Sequence, residues 1–210
     1  MDNSHRHTLN RSTFLKRSFQ LSALAALTPL AGPLSSRPLP GSGAAAAPGD
    51  DDIMRRLMTE NDSQTRRLLD AGAISLGRQI GYDFAVLSAA YSSPASVFHH
   101  DPRVSDALEA RARELLEEQN PDGTMNFSNL GSPPDTAFLV TPLAVGMTVL
   151  GREASPALAG VSKLMKQFLV KAGGALAVGG VHTPNHRWVV SSALARLNAL
   201  YPDMNYLARI

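Results

Sequence analysis

The chain contains no cysteine among its 210 residues. That absence excludes disulfides, thiol nucleophiles and zinc held by thiolates. It also lacks any apolar run long enough for a membrane span: Leu21-Ser22-Ala23-Leu24-Ala25-Ala26-Leu27 is short, and Pro29 and Pro33 follow it. No period-two alternation of useful length marks a strand. Basic charge is not concentrated in the body of the chain. Residues 1–49 hold five Lys/Arg against Asp2 alone, whereas residues 50–210 hold 15 Lys/Arg against 17 Asp/Glu. The body is therefore slightly acidic, and nucleic acid is excluded as the default partner.

What is present begins with a leader. Arg11-Ser12-Thr13-Phe14-Leu15-Lys16-Arg17 precedes the apolar run, and small residues come later, the order of a bacterial export signal. The stretch from Asn10 to Lys16 resembles a twin-arginine signal in degenerate form, with Ser12 in place of the second arginine. Residues 1–30 are read as that signal, and 31–50 as an Ala/Pro/Gly-rich linker that cannot build a core. The expected location is the periplasm or the exterior. Residues 51–210 form the domain.

Within the domain a start signal recurs: a small polar residue followed by proline, at Asp101-Pro102, Ser155-Pro156 and Thr183-Pro184, with Ser132-Pro133-Pro134 as a variant. Apolar spacing predicts helices over 51–70, 82–92, 102–119, 134–150, 156–173 and 184–200. Pro142 falls inside one of them and should kink or break it. The fold class is all-α. The connector 151–155 is short, whereas 120–133 and 174–183 are long. In an antiparallel array the two long connectors emerge at one end, and long loops more often carry function.

The richest stretch is Gly179-Gly180-Val181-His182-Thr183-Pro184-Asn185-His186-Arg187-Trp188. Thr183 reads as N-cap and Pro184 as the first helical residue. Asn185, His186 and Arg187 then occupy a first turn whose N–H groups are unpaired, a setting suited to a carboxylate or a developing oxyanion. Trp188, the only tryptophan, could present a flat face. Asn126, Asn129 and Asp135, from the other long connector, are expected to share the rim with Asn185 and His186. No metal and no cofactor is expected. His99 and His100 are adjacent and their side chains would diverge on a regular element, while His182 and His186 would need a helical Thr183-Pro184 to converge.

Three strings carry a resemblance: Gln119-Asn120-Pro121-Asp122-Gly123-Thr124, Ser132-Pro133-Pro134-Asp135-Thr136-Ala137-Phe138 and His182-Thr183-Pro184-Asn185-His186-Arg187-Trp188. They resemble exported, six-hairpin carbohydrate-active proteins, and among these the chondroitin/alginate lyase and heparinase II/III-like toroids. The resemblance implies antiparallel helical hairpins forming part of an (α/α) toroid. Three hairpins are fewer than a toroid holds, which implies a truncated or split member, or completion by another chain or by self-association through exposed edges.

The implied activity is β-elimination on a uronate-containing polysaccharide. Asn185 would hold the carboxylate, His186 would act as base or orienting partner, and Arg187 would add charge. Trp188, His182, Asn129, Asn126 and Asp135 would bind sugar. Two alternatives stand beside it. One is a glycoside hydrolase using Asp122 and Asp135; the other is a non-catalytic glycan-binding module or inactive remnant.

Overall fold

A computed structural model describes residues 50–210 apart from Ala73 and Ser75; residues 1–30, read as an export signal, and nearly all of 31–50, read as a linker, lie outside the described residues. The helices are α1 (Asp50–Ala71), α2 (Gln79–Ser92), α3 (Pro102–Glu117), α4 (Pro133–Leu150), α5 (Ala159–Val178), α6 (Pro184–Leu200) and α7 (Met204–Arg209). A 3-10 turn, Pro156–Leu158, precedes α5. The described residues form no strand.

The recurring start signal works in more than one way. At α3 the Asp101 carboxylate accepts the Arg103 N–H at 2.9 Å, and at α4 the Ser132 hydroxyl accepts the Asp135 N–H at 3.3 Å. Both satisfy first-turn donors, as an N-cap must. Ser155-Pro156 instead opens the 3-10 turn, and the Ser155 hydroxyl lies 2.8 Å from the Tyr91 hydroxyl.

The helices form two rows. α4 packs most extensively on α2 and α6, and α3 packs on α5, which in turn carries α7. Members of a row run in the same direction. An added Cβ at Gly81 would meet Leu139 and Pro142, and one at Gly146 would meet Phe84 and Ser88. Advancing along α2 therefore advances along α4. Gly160 lies against the Glu109 carboxylate and the Gln119 amide donates to the Phe168 carbonyl, so α5 follows α3 in the same sense. Tyr206 lies beside Gly173, and Arg209 donates to the Gly179 carbonyl, which extends that row to α7. Between the rows the core is apolar, with Phe84, Leu87, Leu108, Leu115, Leu143 and Phe168 fully buried.

The two glycines at the α2–α4 crossing set its closeness. A Cβ at Gly146 would sit 2.8 Å from Phe84 Cδ1, and one at Gly81 would sit 2.9 Å from Pro142 Cγ and 3.0 Å from the Leu139 carbonyl oxygen. Pro142, expected to kink or break α4, does not break it: the helix runs on through Pro142, which forms part of this contact. α5 also differs from expectation. It runs to Val178 because Gly173 faces Tyr206 across a helix contact rather than opening a loop, so the connector before α6 spans only 179–183.

Gly146→Ala and Gly81→Ala should each destabilise the fold by about 1–3 kcal/mol through overpacking. Gly174, helical and open, has nothing within 4 Å of an added Cβ; Gly174→Ala should stabilise by about 0.5–1 kcal/mol. Denaturant unfolding of the three variants checks both signs.

Candidate functional site

Gly179 lies against Pro133, so α6 begins close to where α4 begins. α2, α4 and α6 thus present their N-termini at one end, and the two connectors that lead into α4 and α6 meet there. The 118–132 connector is tightly tied. Asn120 and Gly123 close a turn, Gly123 N–H donating to the Asn120 carbonyl at 2.9 Å. The Gln119 side chain donates to the carbonyls of Gly123 and Phe168 at 3.0 and 3.1 Å, and buried Met125 donates its N–H to the Thr136 hydroxyl at 2.9 Å.

Two of the predicted rim residues are brought together. Asp135, only 4% exposed, accepts from the Asn129 amide at 2.7 Å and is ion-paired with Arg78, just before α2. The Arg78 guanidinium also lies over the Phe138 ring, 4.6 Å from its centroid, a stabilising cation–π placement. Burial alone would raise the Asp135 carboxyl, but hydrogen bonds from Asn129, Arg78 and Ser132, with the Arg78 charge, hold it below the usual carboxylate range.

Asn126 has a different job. Its carbonyl accepts from the Gly131 N–H and the Asn120 amide, and its own amide donates back to Asn120. It closes the loop and faces no residue of the α6 mouth by hydrogen bond.

At the α6 mouth, Thr183 has extended backbone and its carbonyl accepts the His186 N–H at 3.0 Å. Its hydroxyl does not cap the helix as expected; it donates to the Asn185 side-chain carbonyl. His182, Asn185 and Arg187 are exposed, His186 is half-buried and its Nδ1 is enclosed without a partner. The His182 and His186 rings meet edge to face at 6.2 Å. Trp188 is 78% exposed.

Sequence reasoning missed three contributors: Arg78, Tyr82 and Phe138. Tyr82 is exposed one helical turn beyond Arg78. Phe138 lies three residues after Asp135 and is half-buried. The i,i+4 pair Arg78/Tyr82 was the available signal, but the helix was expected to begin at 82. With Trp188, each helix of this row then carries one solvent-reachable aromatic residue within its first two turns, Phe84 of α2 being fully buried.

The paired-carboxylate alternative finds no support here. Asp122 is exposed, and hydrogen bonds from the Thr124 hydroxyl and N–H lower its carboxyl. Asp135 is lowered as well, whereas a general acid must be held protonated. The carboxyl that is raised, by burial, is Asp83 on α2, half-buried, which accepts from the Gln79 amide at 3.0 Å and feels the charge of buried Arg111 on α3; it has no second carboxylate as partner.

No protein-family model, curated protein or solved structure matches this chain.

The folded Asp135 carboxyl ionises at lower pH than an unfolded one. Its contribution is therefore complete above the unfolded value of about 4 and fades as pH falls through the lower folded value. Asp135→Asn should cost about 1–3 kcal/mol at neutral pH, and the gap to the parent protein should shrink below about pH 4. Urea unfolding of both proteins across that range measures it.

Proposed function

We propose that this chain is an exported glycan-binding protein of the toroid-lyase type, its two-row helical array being an arc of an (α/α) toroid and its ligand a uronate-containing polysaccharide. One observation carries the reading. Tyr82, Phe138 and Trp188 stand near the N-termini of three helices of one row, the row that also carries Arg78, the Asp135–Asn129 pair and the first turn Asn185-His186-Arg187, in which Asn185 and Arg187 are exposed. Aromatic faces suit the apolar faces of sugar rings. Arg187 and the Asn185 N–H suit a carboxylate; Pro184 carries no N–H, and the His186 and Arg187 N–H groups donate to the Thr183 carbonyl.

The row's outer face supports the arc. α4 carries no charge after Asp135, and its solvent-facing stripe reads Phe138, Thr141, Val145, Thr148, at three- and four-residue spacing, the two threonine hydroxyls donating back to the helix's own carbonyls. A helix with no charged face is normally enclosed, as the inner helices of a closed ring are. The opposite row carries charge instead, with Asp106, Glu109 and Arg113 on α3 and Lys163, Lys166 and Lys171 on α5.

Binding is better supported than turnover. Elimination needs a walled, water-poor site, and Trp188 and Arg187 stand in the open. Elimination by Asn185 and His186 is the second reading, favoured by the enclosed, unpartnered His186 Nδ1.

Calorimetric titration with a polyuronate and with a neutral glycan of equal length tests binding. The polyuronate should bind and the neutral glycan should bind at least about tenfold more weakly; Trp188→Ala and Arg187→Ala should each reduce polyuronate affinity by about 1–3 kcal/mol. Equal binding of both glycans, or none of either, contradicts the proposal. For turnover, ultraviolet absorbance of unsaturated product should be lost in Asn185→Ala and His186→Ala if the rim is catalytic. Binding by the parent protein without any such product leaves the module non-catalytic.

A further inference from the structure

The end of the rows opposite the rim holds a second group of side chains. His99 and His100 lie in the turn between α2 and α3, and Glu153 lies in the short connector after α4. Adjacent histidines diverge on a helix or strand, but here the backbone is neither. His100 adopts φ 56°, the left-handed region, and its N–H donates to the Tyr91 carbonyl at 3.0 Å. Histidine enters that region more readily than most residues. The consequence corrects the expectation from sequence: the two rings stack, with centroids 3.9 Å apart and planes 26° apart. His100 Nε2 reaches Glu153 Oε2 at 2.9 Å. One ligand atom from each of the three residues lies within 4.8 Å of the others.

We propose that His99, His100 and Glu153 form a binding site for a divalent cation of the zinc class. Two imidazole nitrogens and one carboxylate oxygen are a donor set that zinc accepts, with metal–ligand distances of about 2.0–2.2 Å. Ligands at those distances stand roughly 3–3.5 Å apart around a tetrahedral ion. The His100–Glu153 pair is already near that separation, and side-chain rotation of His99 completes the set. One carboxylate is too few for calcium or magnesium, which take mostly oxygen ligands. Three protein ligands leave a fourth position for water. The site joins segments 53 residues apart in sequence, beside the Tyr91–Ser155 hydroxyl contact. A bound ion would therefore staple the ends of α2 and α4 together. The proposal is independent of the glycan reading, because it involves none of the rim residues.

Zinc chloride titrated calorimetrically into the full chain should show a site of one ion per chain that needs these residues, and zinc should raise the Tm. Glu153→Gln and His99→Ala, which leave the His100 backbone untouched, should each weaken that site by about tenfold or more and remove the Tm shift. His186→Ala should bind as the parent does. The proposal is overturned if the parent protein binds no zinc, if Glu153→Gln and His99→Ala bind it undiminished, or if binding disappears in His186→Ala instead.

Discussion

The close crossing of α2 and α4 is the constraint on which the remaining structure depends. Gly81 and Gly146 remove the two side chains that would hold these helices apart, and Phe84, Leu139 and Pro142 fill the space so released. Close approach in the parallel sense fixes the connectivity. α3 must return antiparallel on the other row, α5 must follow it, and α6 must begin again at the same end as α2 and α4. The crossing also places Arg78, immediately before α2, where its guanidinium reaches Asp135 and Phe138 on α4. A single packing decision in the middle of the domain thus decides which polar and aromatic groups gather at its rim.

The two ends of the rows differ in chemistry. The N-terminal ends of α2, α4 and α6 carry a half-buried ion pair, three aromatic side chains and a largely exposed helix start. The other ends, closed by the 93–101 turn and the 151–155 connector, bring together two imidazoles and a carboxylate. Both groupings arise from parallel helices whose connectors are tied down, by side chain to backbone bonds at Gln119 and Met125 at one end and by the backbone bond from the His100 N–H to the Tyr91 carbonyl at the other.

Much of the fold was legible because local signals were strong. Proline after Asp101, Ser132 and Thr183 places the first residues of α3, α4 and α6, since a fixed φ and a missing N–H suit a first turn. Pairwise tertiary contacts were not legible. Pro142 was read as a kink or break and residues 174–183 as a loop, yet Pro142 and Gly173 each fit a helix–helix contact that sequence spacing does not display. The asparagines of the long connector were read as rim groups, but Asn126 is consumed in holding its own loop. Arg78 escaped because its partners lie on another helix, 57 residues on. The histidine pair escaped because its convergence depends on one left-handed residue.

Parallel alignment of α2 and α6 about a shared α4 is the central claim, and the absence of native cysteine makes it directly measurable. Paired cysteines can be introduced for spin labels at exposed positions, Tyr82 with Trp188 in one protein and Tyr82 with Ala199 in another. The eleven residues between Trp188 and Ala199 advance about 16 Å along a helix. Pulsed electron spin resonance should therefore give the shorter distance for the Tyr82–Trp188 pair and a clearly longer one for Tyr82–Ala199. The reverse order, or two equal distances, would contradict the two-row account and dissolve the rim with it.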